Sequence, residues 1–204
     1  WGSKVSKKIL LTFIYKETNN NDLSDSSIIE NKSLEILQSI DHIKLFESFN
    51  PYDFGIISYL HSQNDILASG GVVNSLSVSL GIPFFFFLIE EFYLEFYMKG
   101  ILKESKKYNS VIASGHTYQS IEPSIAITMN GSINLLAKKN QATKGDLIYL
   151  SKQLGSGYLL SAYFKNSPLL SNKDFQELID WLKTGNYLAS KAAQKNNCNV
   201  MTDI

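Results

Sequence analysis

Arginine is missing from the 204 residues, and all nineteen basic side chains are lysine. No planar guanidinium is therefore on hand to clamp a phosphate bidentately, and lysines, metal ions or backbone amides have to do that work. Cysteine is nearly missing too. The single Cys198 excludes an internal disulfide framework and a zinc site built from cysteine alone, and it implies a reducing, cytoplasmic compartment. Cys198 itself reads as a small buried hydrophobe. Charge of one sign is also lacking. Nineteen lysines balance nineteen carboxylates, which argues against a strongly basic face for nucleic acid, and the 44% hydrophobic share argues against a disordered tail. A long charge-free hydrophobic run is absent as well. The most apolar stretch, Leu80 to Met98, is interrupted by Pro83, Glu90, Glu91 and Glu95, short of the roughly 18 clean residues that a span requires. It reads as a buried helix, with no membrane partner. The sequence has no n-region ahead of an apolar core, so no signal peptide is expected, and starting at Trp1 it reads as cut at both ends.

What is present has the organisation of an α/β (α+β) protein, a mixed sheet flanked by helices. Residues 4–15 have the spacing of a short amphipathic helix and 18–27 that of a polar loop; 34–43 read as a strand. Asn50, Pro51 and Asp53 form a helix start, and Gly70 with Gly71 a stop, which predicts a helix over 51–69. In 72–80 Leu76, Val78 and Leu80 alternate with serines, a period of two. A helix over 84–107 and strands over 110–115 and 124–130 follow, the aromatic run Phe84 to Phe87 with Phe92, Tyr93, Phe96 and Tyr97 serving core or dimer packing. The pattern lapses from Gly131, which places a domain boundary near 140. Residues 1–139 then form a first domain, and 140–204 begin a second with a strand at 146–151, a turn at Gly155 and Gly157, a helix over 173–195 and a strand start at 200. No internal repeat is visible.

The residues that could carry chemistry are mainly acidic. Asp25 lies in a loop, Asp41 near a strand end, Asp65 near a helix C-terminus and Asp203 after a short apolar run. Singly, such aspartates are usually caps or solvated surface. Brought together they need a cation, since two carboxylates about 4 Å apart repel by roughly 4 kcal/mol at an effective dielectric of 20. Mg²⁺ held by carboxylates and phosphate oxygens would supply it. His61 and Asp65 share a helix face at i, i+4; without further ligands a hydrogen bond between them is favoured over zinc. Ser114-Gly115-His116-Thr117 follows an apolar strand and reads as a small-residue turn whose amides could approach a phosphate. Gly155-Ser156-Gly157 completes neither a Rossmann nor a P-loop motif.

Four stretches, in order, resemble the selenophosphate synthetases (selenide, water dikinases), of the aminoimidazole ribonucleotide synthetase-like superfamily. SIDHIKLFESFNPYDFGIISYLHSQNDILASGG at 39–71 is similar to the family's Thr/Ser-x-Asp strand, Pro-x-x-Phe-Gly helix and Asp-x-x-Ala-x-Gly helix end. ASGHTYQSIEP at 113–123 resembles its Gly-Gly-His/Gln-Thr turn with Glu-Pro, LIYLSKQLGSGYL at 147–159 its Lys-x-Leu-Gly-x-Gly turn, and MTDI at 201–204 the opening of its Thr-Asp-Val-Thr-Gly-Phe-Gly motif.

The resemblance implies an N-terminal ATP-binding and dimerisation domain followed by a truncated C-terminal one, a homodimer, and synthesis of selenophosphate from selenide, ATP and water with release of AMP and phosphate. It further implies Mg²⁺ ligation by Asp25, Asp65 and Asp203, ATP contacts from Lys4, Asp41, Asp65, Ser114, Gly115 and His116, and Lys4 as the essential catalytic lysine. Such a site fits phosphoryl transfer, where catalysis is mostly positioning and charge neutralisation. The departure is Trp1, which stands where the family places a reactive cysteine or selenocysteine; an indole has one N–H donor and no nucleophile. A selenocysteine codon read as tryptophan and a true loss of the redox residue both fit. In the second case the chain is a non-catalytic ATP-binding or dimerising homologue, or part of a larger fused oxidoreductase. Lacking most of a second domain, these 204 residues alone are expected to have little activity.

Overall fold

A computed structural model describes residues 26–31, 34–44, 49–84, 87–165 and 170–204. Trp1, Lys4, Asp25, the helix expected over 4–15 and most of the 18–27 loop lie outside the described residues. Five strands, β1 (Ser27–Asn31), β2 (Leu34–Lys44), β3 (Gly71–Pro83), β4 (Val111–Ser120) and β5 (Ser124–Ile133), form one sheet in the order β1-β2-β5-β3-β4. All neighbours are antiparallel except β3 and β4. Parallel strands need a crossover, and α2 (Phe87–Lys107) supplies it. Ser27, the last residue of the loop expected over 18–27, opens strand β1 instead.

Helix α1 (Pro51–Ala68) starts as the sequence predicts: the Asn50 side chain accepts from the Tyr52 N–H at 2.9 Å, with Pro51 at the first turn. It stops at Gly70, whose φ of +81° no side-chain-bearing residue adopts easily and where a Cβ would run into the Leu135 carbonyl. Between these ends α1 is buried on nearly every side, packed on β2, β5 and β3 beneath and on α2 beside it. Gly55 and Gly100 let α1 and α2 touch backbone to backbone, since a Cβ on either would meet the carbonyl of Tyr97 or Tyr52. Leu37, Ile43, Leu76, Val78, Leu80, Ile125, Ile127 and Met129 line the helix-covered face of the sheet and are buried.

Helices α3 (Ser156–Phe164), α4 (Asn172–Leu182) and α5 (Tyr187–Lys195) fold back on α1. Phe175 of α4 and Phe164 of α3 pack with Phe49 at the foot of α1, at ring-centroid distances of 5.8 and 6.3 Å. Three polar ties run along α1 from its first turn to its last: Lys183 to Asp53 at 3.1 Å, Asn186 to Asn64 at 3.1 Å, and the Ser190 hydroxyl to the Leu67 carbonyl at 3.2 Å.

Several sequence expectations are corrected. The helix expected over 173–195 is two helices, broken where Gly185 passes against the Tyr108 hydroxyl and Leu60. Residues 146–151 do not form a strand, with Leu147, Ile148 and Tyr149 exposed, because no described strand lies beside them to complete a ladder. No strand begins at 200. The Leu80–Met98 run is not a buried helix. It divides at Pro83 between β3 and α2, and α2 buries only the face that packs on α1, so Tyr97 and Ile101 are buried while Ile89, Phe92 and Leu94 are exposed. Cys198 is exposed rather than buried. Among the described residues no helix is long and apolar enough to cross a membrane.

Candidate functional site

Alternation along β2 decides where Asp41 points. Leu37, Ser39 and Ile43 are buried on the helix-covered face, and Asp41 shares their parity, whereas Ile40 on the other parity is 70% exposed. The Asp41 side chain meets α1 there, with its Oδ1 3.9 Å from Nε2 of His61. Asp65 lies one helical turn further along the same face of α1 and is half-buried. The backbone carbonyl of Asp65 accepts the N–H of Ser69, the C-cap residue. The Ser69 hydroxyl in turn accepts from Ser26 at 2.6 Å in a buried contact. Ser26 directly follows Asp25, so the chain next to Asp25 is fastened to the helix end that carries Asp65.

Ser114, Gly115 and His116 do not form a turn. They lie inside β4, paired with Ser77, Val78 and Ser79 of β3. The Ser114 hydroxyl donates to the Ser77 hydroxyl at 2.7 Å, and Ser77 alternates with the buried Leu76 and Val78, so Ser114 and His116 face the side of the sheet opposite Asp41. Asp41 pairs with Ile127, Ile127 with Val78 and Val78 with Gly115. The two groups thus share one row of the sheet, three strand spacings or about 14 Å apart. One chain does not bring them together.

Asp203 lies half-buried in the irregular C-terminal stretch, which is tied back by the Lys138 N–H donating to the Asn199 carbonyl at 2.9 Å. Among the described residues no group of three or more His, Cys, Asp or Glu is arranged to hold a metal; Asp25 lies outside them. The donor chemistry of Asp65 and Asp203 nevertheless suits a hard cation, since carboxylate oxygen is what Mg²⁺ takes. Lys152 of the Lys-x-Leu-Gly-x-Gly turn donates to the Thr184 carbonyl at 2.8 Å, and burial lowers its pKa. It serves the α4–α5 connection. Sequence reasoning missed the Asp41–His61 contact and the Ser26–Ser69 bond; the i, i+4 spacing of His61 and Asp65 places those two on one helix face, but nothing in the sequence pairs Asp41 with His61 or Ser26 with Ser69.

Residues 24–133 match the family of AIR synthase related proteins through its N-terminal domain. Among curated proteins, the chain is 26% identical over 207 residues to a selenide, water dikinase of Campylobacter jejuni strain RM1221, covering 97% of this chain and 58% of the relative. It is 24% identical over 219 residues to that of Shewanella sp. strain MR-4, covering 100% and 60%. The chain therefore spans less than two thirds of the length of these relatives. Among solved structures, thiamine monophosphate kinase from Aquifex aeolicus superposes with a TM-score of 0.78 at 19% identity, over 93% of this chain and 64% of that one. Hydrogenase maturation protein HypE in complex with ATP superposes with a TM-score of 0.58 at 18% identity, over 84% and 53%. The fold is that of this group, and the chain belongs to the AIR synthase related proteins, whose N-terminal domain it carries at residues 24–133.

Proposed function

We propose that the protein to which these residues belong makes selenophosphate from selenide, ATP and water, releasing AMP and phosphate, as a cytoplasmic homodimer. Residues 1–139 act as the ATP-binding and dimerisation domain and 140–204 begin the C-terminal domain. The observation that best supports the nucleotide half is the approach of β2 to α1, with Asp41 3.9 Å from His61 and Asp65 one turn beyond on the same helix face. Asp25, Asp65 and Asp203 hold Mg²⁺, which neutralises phosphate charge. Lys4, Asp41, Asp65, Ser114, Gly115 and His116 contact ATP. Because Ser114 and His116 face away from Asp41, the homodimer has a physical reason: a second copy can present its β4 to the site that Asp41 and Asp65 line.

Calorimetric titration of Mg·ATP into residues 1–204 tests the nucleotide site. Asp65→Asn and Asp41→Asn should each weaken binding by tenfold or more, and unchanged affinity in both would sink the assignment. Selenide-dependent AMP release tests the chemistry. Residues 1–204 should show little, and normal turnover by them would refute the requirement for the rest of a second domain. Trp1 favours one alternative, a homologue that binds ATP without turning over selenide. A protein of the relatives' full length that binds Mg·ATP yet releases no AMP with selenide would establish it.

A further inference from the structure

We infer that His61 is a positioning residue that fixes the carboxylate of Asp41 relative to that of Asp65; this rests on the reading of both aspartates as the nucleotide and Mg²⁺ contacts. The Asp41 side chain is only 19% exposed. A carboxylate stripped of that much water is costly without a polar or cationic partner. The His61 imidazole reaches it from α1, with Nε2 3.9 Å from Oδ1 and its own side chain 37% exposed. Nε2 carries a proton in one neutral tautomer and in the cation, and either form attracts the carboxylate.

The geometry gives this contact a use. Asp41 and Asp65 come from different elements, a strand and the far end of a helix, so their separation depends on how α1 sits on β2. His61 stands one helical pitch, about 5.4 Å, before Asp65 on the same face. Holding Asp41 against His61 therefore sets the strand carboxylate at a fixed offset from the helix carboxylate. The helix is itself immobilised by the Asn50 cap, by the Gly55–Gly100 crossing and by Asn64 accepting from Asn186. Groups that grip one metal–triphosphate complex lose affinity when displaced by even an ångström, and outer partners that orient such ligands typically matter by 10-fold to 100-fold. The resemblance to known families assigns His61 no role.

The test is Mg·ATP calorimetry on residues 1–204 with His61→Leu, His61→Gln, Asp41→Asn and the double variant H61L/D41N, alongside thermal melts. His61→Leu should weaken binding about tenfold, with the loss largely restored by His61→Gln, which again offers an N–H. In the Asp41→Asn background, His61→Leu should add nothing, because its effect passes through Asp41. An equal loss in both backgrounds, or no loss in either, overturns the inference. Should His61→Leu fail to fold, His61→Ala takes its place at this partly exposed position. If the parent chain binds no Mg·ATP at all, the nucleotide reading itself fails and the inference with it, an outcome distinct from normal parental binding that is indifferent to His61.

Discussion

The hydroxyl of Ser26 donates a hydrogen bond of 2.6 Å to the hydroxyl of Ser69, with both residues buried and 43 positions apart in sequence. Ser69 is the C-cap of α1, four residues past Asp65, and Ser26 is the next residue after Asp25. This contact joins the chain at the start of the edge strand β1 to the C-terminal end of α1. Ser69→Ala should destabilise the fold by about 1–3 kcal/mol, because it leaves the Ser26 hydroxyl buried and unpaired. Urea denaturation of S69A, S26A and the double variant checks this. The double variant should be less destabilised than the sum of the singles.

The PYDFG motif also has a packing role that is separate from any ligand. Gly55, its last residue, and Gly100 on α2 leave no room for a Cβ where the two helices cross. Gly100→Ala should cost roughly 1–3 kcal/mol through forced separation of the helices, although alanine is the better helix former in isolation. A rise in melting temperature for G100A would contradict the crossing.

Lys183 joins the C-terminal helices to the start of α1, with its Nζ 3.1 Å from Asp53 and 2.9 Å from Asp180. Burial acts to lower its pKa, but the hydrogen bonds and charges of Asp180 and Asp53 outweigh it and hold the amine above its ordinary value. A pKa raised by folding means stability that is complete below the unfolded lysine value of about 10.4 and is lost as pH rises through the folded one. Lys183→Met should therefore cost about 1 kcal/mol at neutral pH, and the gap between parent and variant should close in strongly alkaline solution. Chemical denaturation at pH 7 and above pH 11 distinguishes this from a gap that stays constant.

Tyr59 is buried in α1, stacked on Tyr108 at 6.0 Å, and its hydroxyl lies 2.8 Å from that of Ser110. Burial pushes its pKa up to about 12, against the smaller lowering effect of the Ser110 hydrogen bond. The neutral phenol is favoured by the fold, so its contribution is intact below pH of about 10 and is lost between there and the folded value. Ultraviolet titration should show fewer tyrosines ionising near pH 10 in the parent than in a denatured control, because burial holds back both Tyr59 and Tyr97. Tyr59→Phe should remove one of these late-titrating groups, leaving Tyr97, and flatten part of the alkaline decline in stability.

Local chemistry wrote much of this fold into the sequence. Asn50, Pro51, Asp53 and Gly70 fix the ends of α1 through groups within a few residues of one another, and the period of two in β3 marks its buried face without reference to any neighbour. The absence of arginine limits how a phosphate can be met, whatever the fold. Other features depend on what lies alongside. DLIYLS at 146–151 has the composition of a strand yet pairs with none among the described residues, and SGHT has the composition of a turn yet pairs with β3 along an edge. Strand pairing is a property of two segments, so composition of one cannot decide it. The candidate site divides in the same way. Residue type and order nominate Asp41, Asp65, Ser114, Gly115 and His116, but only the sheet register shows that Asp41 faces α1 while Ser114 and His116 face the opposite side. The contacts of Asp41 with His61 and of Ser26 with Ser69 cross 20 and 43 residues of chain, and they exist only because burial of the shared core first brings β1, β2 and α1 together.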